Sequence, residues 1–209
     1  MFTNRILIAT AITALAAASQ AGVTFSNFNY GSGAIVAGFG SGPIINGNSL
    51  LWQPNNASVA EGVVQGQSSP LLTIAIAYDV TSTGNMTNVL GTVSSFSQGF
   101  VGGSGLVQFQ EDVFGLDSNG NETGLIGSSG LVSTAATGLL PSTNVKLSGN
   151  FTSIRVKKSF SLSAPDTSSA SDFATIAQVN QSIQAVPEPT SMVALGAGVL
   201  ALLKRRKKA

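Results

Sequence analysis

Between Gly22 and Val186 one arrangement recurs: apolar runs or alternations, roughly ten residues apart, separated by clusters of Gly, Asn and Ser. A side-chain period of two puts successive residues on opposite faces of a strand, so such a chain must stack strands to bury one face of each. Leu71–Val80 (LLTIAIAYDV) reads as an apolar strand bounded by Pro70 and a turn at Thr83-Gly84-Asn85. In Gly105–Phe114, Val107, Phe109 and Glu111 alternate against Gln108, Gln110 and Asp112. In Asn144–Leu162, Val145, Leu147 and Phe151 form one alternate set. Ile154, Val156, Phe160 and Leu162 form another after a turn near Thr152-Ser153. Ala170–Ala185 fits a helical face or a strand, and the β surroundings favour a strand. The pattern predicts an all-β fold: a single β-sandwich or jelly-roll-like domain over residues 22–185. Gly31-Ser32-Gly33, Gly40-Ser41-Gly42, Gly103-Ser104-Gly105 and Gly127-Ser128-Ser129-Gly130 read as turns without a fixed repeat period, and Ser41-Gly42-Pro43 as part of a mobile N-terminal lobe.

Charge sharpens the division of the chain. Charged residues make up 9% of its 209 residues, and five of the ten Lys and Arg are consecutive, Lys204–Lys208. From Gly22 to Val186, Lys146, Arg155, Lys157 and Lys158 face eight acidic residues, a net charge of −4. An acidic body without a basic stripe argues against nucleic-acid binding, which needs cations against phosphate.

The two ends read as addresses. Arg5 is followed by the apolar run Ile6–Ala18 and by Ser19-Gln20-Ala21, so residues 1–21 read as a signal peptide cleaved by signal peptidase between Ala21 and Gly22. A buried N-terminal helix is the alternative. At the other end, Met192–Leu203 is apolar throughout and covers only about 18 Å as a helix, short of a bilayer core of about 30 Å. A core helix has that length too. The abutting Lys204, Arg205, Arg206, Lys207 and Lys208 favour a stop-transfer helix whose basic tail stays cytoplasmic. The segment between the ends is then outside the cytoplasm.

Before that helix stands Val186-Pro187-Glu188-Pro189. The prolines hold the chain extended, and Gly196 and Gly198 weaken the helix that follows. Residues 186–209 resemble the PEP-CTERM sorting signal of bacterial exported proteins. The resemblance implies a single-pass, inner-membrane-anchored precursor, processing at Pro187-Glu188-Pro189 by exosortase, a membrane-embedded peptidase, and a final place at the cell surface or outside the cell. It further implies an association with exopolysaccharide and biofilm.

Catalytic chemistry finds little purchase in the body. Without Cys or His, the common nucleophilic triads and zinc sites lack their parts. Glu111 and Asp112 are strand neighbours and point to opposite faces, so they do not flank one glycosidic bond. Asp117–Gly124 (DSNGNETG) offers calcium-type oxygens at Asp117, Asn119 and Asn121. However, Glu122 replaces the turn glycine and Ser128 the bidentate Glu of an EF-hand, and Asn119-Gly120 is a hairpin signal. Trp52, after Leu50-Leu51, reads as core rather than as a sugar platform. The five Asn-X-Ser/Thr sites, at Asn56, Asn85, Asn121, Asn150 and Asn180, are no excess over chance. Lys157-Lys158 places one charge on each face, or guards a sheet edge. The sequence therefore predicts a non-enzymatic surface or matrix protein with no catalytic residues, metal or cofactor. A carbohydrate- or calcium-binding module carrying the same address is the second reading.

Overall fold

In the computed structural model of the chain, residues 21–60, 71–90, 101–134, 143–164 and 172–186 are described. The strands are β1 (Val23–Tyr30), β2 (Ile44–Asn46), β3 (Ser49–Trp52), β4 (Ser58–Ala60), β5 (Leu71–Leu90), β6 (Val101–Gly102), β7 (Leu106–Leu116), β8 (Glu122–Thr134), β9 (Val145–Ser163), β10 (Phe173–Thr175) and β11 (Val179–Val186). One short helix, α1 (Ser32–Val36), and a 3-10 turn, Phe39–Ser41, join β1 to β2. The all-β expectation holds. The predicted signal helix and membrane helix lie outside the described residues.

An eight-stranded sheet has the order β2-β3-β11-β5-β9-β7-β8, with β1 also paired to β5. A three-stranded sheet, β4-β10-β6, packs against β5, β7 and β9. The larger sheet is sharply bent. Arg155 of β9 opposes Phe114 of β7, yet Val145, ten residues earlier, packs on Gly127 of β8. Gly149, with φ +145°, lies between them, and the β5–β9 register breaks between Thr81 and Met86. Bulges of this kind let a strand pass from one layer to the next.

The bend brings Trp52 of β3 onto Tyr78 of β5, ring centroids 5.7 Å apart, and both residues are buried. Ile74, Ile76, Val80, Phe109, Ile154 and Phe160 complete the centre of one core. Each such side chain contributes about 1.5–3 kcal/mol when removed from water. Trp52 is therefore core, as its sequence context predicted, and its Nε1 donates to Tyr30 Oη at 3.4 Å.

Several local expectations are corrected. Thr83-Gly84-Asn85 is not a turn but the middle of β5, and β9 runs through Thr152-Ser153 without turning. In both strands the irregularity absorbs the change of face without a break in the chain path. Gly127-Ser128-Ser129-Gly130 lies within β8. Its glycines allow close approach, since a Cβ on Gly127 would press on Val145 Cγ1 and one on Gly130 on Gln110 Oε1. The segment around Ser41-Gly42-Pro43 is no separate lobe, because Ala34, Ala37 and Phe39 are buried in the common core. Ala170–Ala185 contains β10 and β11, as favoured.

Candidate functional site

The predicted processing points frame the body, and β5 brings the two ends together. Gly22 N–H donates to Thr83 Oγ1 and Thr83 N–H to the Gly22 carbonyl, both at 3.0 Å. Ala21 is 4% exposed, and its carbonyl accepts from Asn48 Nδ2 at 3.4 Å. Val23 opposes Ser82 and starts β1. β11 reaches the same spot along the same side of β5, with Ala185 opposite Met86 and Val186 opposite Asn85. β1 and β11 thus lie head to tail on one partner strand, with Gly84 at the junction. Any side chain on Gly84 would collide with the Val186 carbonyl and the Ala21 methyl. Pro187, Glu188 and Pro189 follow Val186, the last described residue of β11. They, the apolar run and Lys204–Lys208 lie outside the described residues. Among the described residues no helix is long and apolar enough to cross a membrane.

The solvent face of the large sheet carries ion pairs set by strand alternation. Arg155 grips Asp79 through two nitrogens, Nε to Oδ1 at 2.6 Å and Nη2 to Oδ2 at 3.0 Å, and Asn27 Nδ2 donates to Oδ2 at 2.8 Å. Asn27 reaches this position from a left-handed backbone, φ 52°, at the β1 bulge. Lys157 pairs with Glu122 at 2.8 Å and lies 4.4 Å from the Phe114 ring centre. Its hydrogen bond holds the Glu122 carboxyl below the usual range. Beside this cluster an open concavity of about 340 Å³ is lined by Gly31, Ala75, Ala77, Asp112, Lys157 and Ser159, among others.

Lys158, the next residue, turns inward. Its Nζ meets Glu111 Oε1 at 2.8 Å with both side chains fully buried, directly opposed on β9 and β7. The Phe109 ring centre is 5.1 Å from the same Nζ. Burial pulls Lys158 below its ordinary value, and the Glu111 charge and hydrogen bond oppose that shift. Burial pushes the Tyr78 phenol well above its ordinary value, and the Glu111 charge adds to it. Among the described residues Tyr78 Oη and Glu111 Oε2 have no hydrogen-bond partner. The expectation of one lysine on each face holds, and its alternative does not: β9 is interior, between β5 and β7. The inward pairing of Lys158 was missed. The alternation signalled only a buried acid, for Glu111 shares its alternate set with Val107 and Phe109.

Glu111 is buried and Asp112 faces solvent, so the two carboxyls do not converge. In the Asp117 loop the carboxylate accepts from Asn119 N, Asn121 N and Asn121 Nδ2, and Gly120 takes φ +79°. These donors hold the carboxyl below its usual range, the Asn121 backbone most of all. The loop is a hairpin turn, and its carboxylate is engaged in holding it.

Residues 185–208 match the PEP-CTERM protein-sorting motif. A search of curated proteins finds no significant match. Among solved structures, a CBM32-3 from a family 31 glycoside hydrolase of Clostridium perfringens overlaps 64% of this chain and 74% of its own, at 12% identity and a TM-score of 0.26. A family 43 arabinoxylan arabinofuranohydrolase from Bacillus subtilis overlaps 64% of this chain, which spans only 25% of the enzyme, at 14% identity and a TM-score of 0.24. CsCBM6-3 from Clostridium stercorarium overlaps 66% and 92%, at 12% identity and a TM-score of 0.15.

Proposed function

We propose that this chain, a carrier of the PEP-CTERM sorting motif, is an exported, non-enzymatic surface or matrix protein. Its bent sheet forms the two layers of a sandwich-like body. Signal peptidase removes residues 1–21, the helix within residues 192–203 tethers the body to the membrane, and an exosortase-type peptidase cuts at Pro187–Pro189. The end of β11 supports this reading. Val186, the last described residue of β11 and still paired to Asn85, immediately precedes Pro187. The five residues Pro187–Ser191 span at most about 18 Å when extended, so the body stands close to the bilayer and the peptidase grips a short extended segment. Mass spectrometry of the mature protein's two ends tests the proposal. Gly22 is expected as the first residue, with everything after Pro189 absent. A released form still carrying Lys204–Lys208 would contradict it.

A second reading, a binding module for extracellular polysaccharide, draws on the concavity beside Lys157 and Asp112. Titrating the processed protein with polysaccharide and, separately, with calcium distinguishes the two. Heat of binding that disappears in Lys157→Ala favours the module, and no heat with either ligand leaves the first reading alone.

A further inference from the structure

The Glu111–Lys158 pair stands in the middle of an apolar lattice. On the core face of β7, β9 and β5, Val113, Val156 and Tyr78 lie side by side, and so do Phe109, Phe160 and Ile74. Between these two rows lie Glu111, Lys158 and Ile76. Every one of these residues is buried, and the Phe109 and Phe160 ring centroids are 4.8 Å apart. Two ions in such a place are costly, and apolar residues of similar volume often serve the fold as well or better. As ions the pair also leaves Glu111 Oε2 without a hydrogen-bond partner among the described residues.

A neutral product removes both difficulties, and the geometry leads to one. Lys158 Nζ is 2.8 Å from Glu111 Oε1, and the carboxyl carbon is bonded to that oxygen over about 1.2 Å, so it lies within about 4 Å of Nζ. β7 and β9 pair without a register shift from Leu106 opposite Ser163 to Gly115 opposite Ile154, which holds the two side chains together. An amine and a carboxyl fixed in this way meet at a far higher effective concentration than free partners do. Desolvation favours the free amine and the carboxylic acid over two ions, and burial acts on Lys158 in that direction. The same burial keeps out the water that would reverse an amide bond.

We propose that Glu111 and Lys158 condense to a side-chain amide that cross-links β7 to β9. Nζ attacks the carboxyl carbon, the Nζ–Cδ bond forms and the Cδ–Oε2 bond breaks. Oε2 leaves as water with two of the three ammonium protons, the third stays on the amide nitrogen, and Oε1 remains as the carbonyl. The step needs no oxidant or reductant. Tyr78, diagonal to Lys158 on the same face and within the field of the Glu111 charge, offers a hydroxyl that relays a proton to the leaving oxygen. The product carries no charge into the apolar lattice and has no second carboxyl oxygen to satisfy. The inference concerns the body alone and is independent of how the ends are processed.

Intact-mass spectrometry of the full-length chain in denaturant reads the bond directly. The chain purified in its folded form is expected one water below the mass its sequence gives. Its digest should contain a peptide with Glu111 joined to a peptide with Lys158. Chain that has never folded, taken up in urea, should start at the full mass and lose the water on refolding in detergent, because the two groups meet only when β7 pairs with β9. Lys158→Met alone strands a buried carboxylate and risks unfolding. The double variant Glu111→Leu with Lys158→Met, checked against the native circular dichroism spectrum, should keep its full mass. Full mass in the folded native chain, a missing water that persists in the double variant, or one that maps to other residues overturns the proposal.

Discussion

Glu111 and Lys158 show what one pair of side chains demands of a small core. Removing two charges from water costs several kcal/mol for each ion, and their attraction offsets this only while both remain. Glu111→Gln leaves the Lys158 ammonium buried without its counter-charge and is expected to lower the unfolding free energy by about 3–5 kcal/mol in urea titration. The double change Glu111→Leu with Lys158→Met removes both charges and should recover most of that loss. Failure to recover would mean that the pair does more than cancel its own charges. Asp79 governs acid stability. Burial raises its carboxyl, but the Arg155 and Asn27 hydrogen bonds and the Arg155 charge outweigh that and hold it below its ordinary value of 3.8. A depressed carboxylate contributes stability that is complete above the unfolded value and lost as pH falls through the folded one. Stability should therefore fall as pH drops below the ordinary carboxylate value of 3.8. Asp79→Asn should lower stability at neutral pH and flatten that part of the profile.

Among the elements, β11 has a position its place in the chain does not suggest. It is the last described strand, yet it stands between β3 and β5 and connects the β2–β3 hairpin to the rest of the sheet. A chain ending after Val186 should keep the sheet, whereas one ending after Gln178 should lose amide protection in β3. Hydrogen exchange reads both. Gly84 is the matching constraint on β5. Gly84→Val has no room beside the Val186 carbonyl and Ala21. It is expected to cost more than the roughly 1–3 kcal/mol of ordinary overpacking, because backbone rather than a side chain must move. Faster exchange at Gly22 and Thr83 would show that the chain ends had come away from β5.

For the whole molecule, the same junction sets an order of events. The Ala21–Gly22 bond is tied to the surface of the folded body, its carbonyl accepting from Asn48 and its N–H donating to Thr83, with Ala21 buried and Gly22 exposed. Signal peptidase is therefore expected to cut before β1 docks. Presented with the full-length chain, signal peptidase should cleave the urea-unfolded form, diluted just before assay, much faster than the folded form. Equal rates would show that the end of β1 opens freely.

The PEP-CTERM sorting motif and the β class were legible in the sequence because they rest on local facts. Charge order, an apolar run, Pro187-Glu188-Pro189 and a period of two each act within a few residues. The opposite faces of Glu111 and Asp112, the split of Lys157 from Lys158 and the hairpin at Asn119-Gly120 follow from the same locality. The bend of β5 and β9 was not legible, since Thr83-Gly84-Asn85 and Thr152-Ser153 have turn-forming residues that the sheet absorbs as bulges. Nor could the sequence say that Glu111 would find Lys158, or that Ala21 and Val186 would meet at Gly84. Those depend on which strands pair, and pairing is decided by long-range packing of the core rather than by any stretch of neighbouring residues.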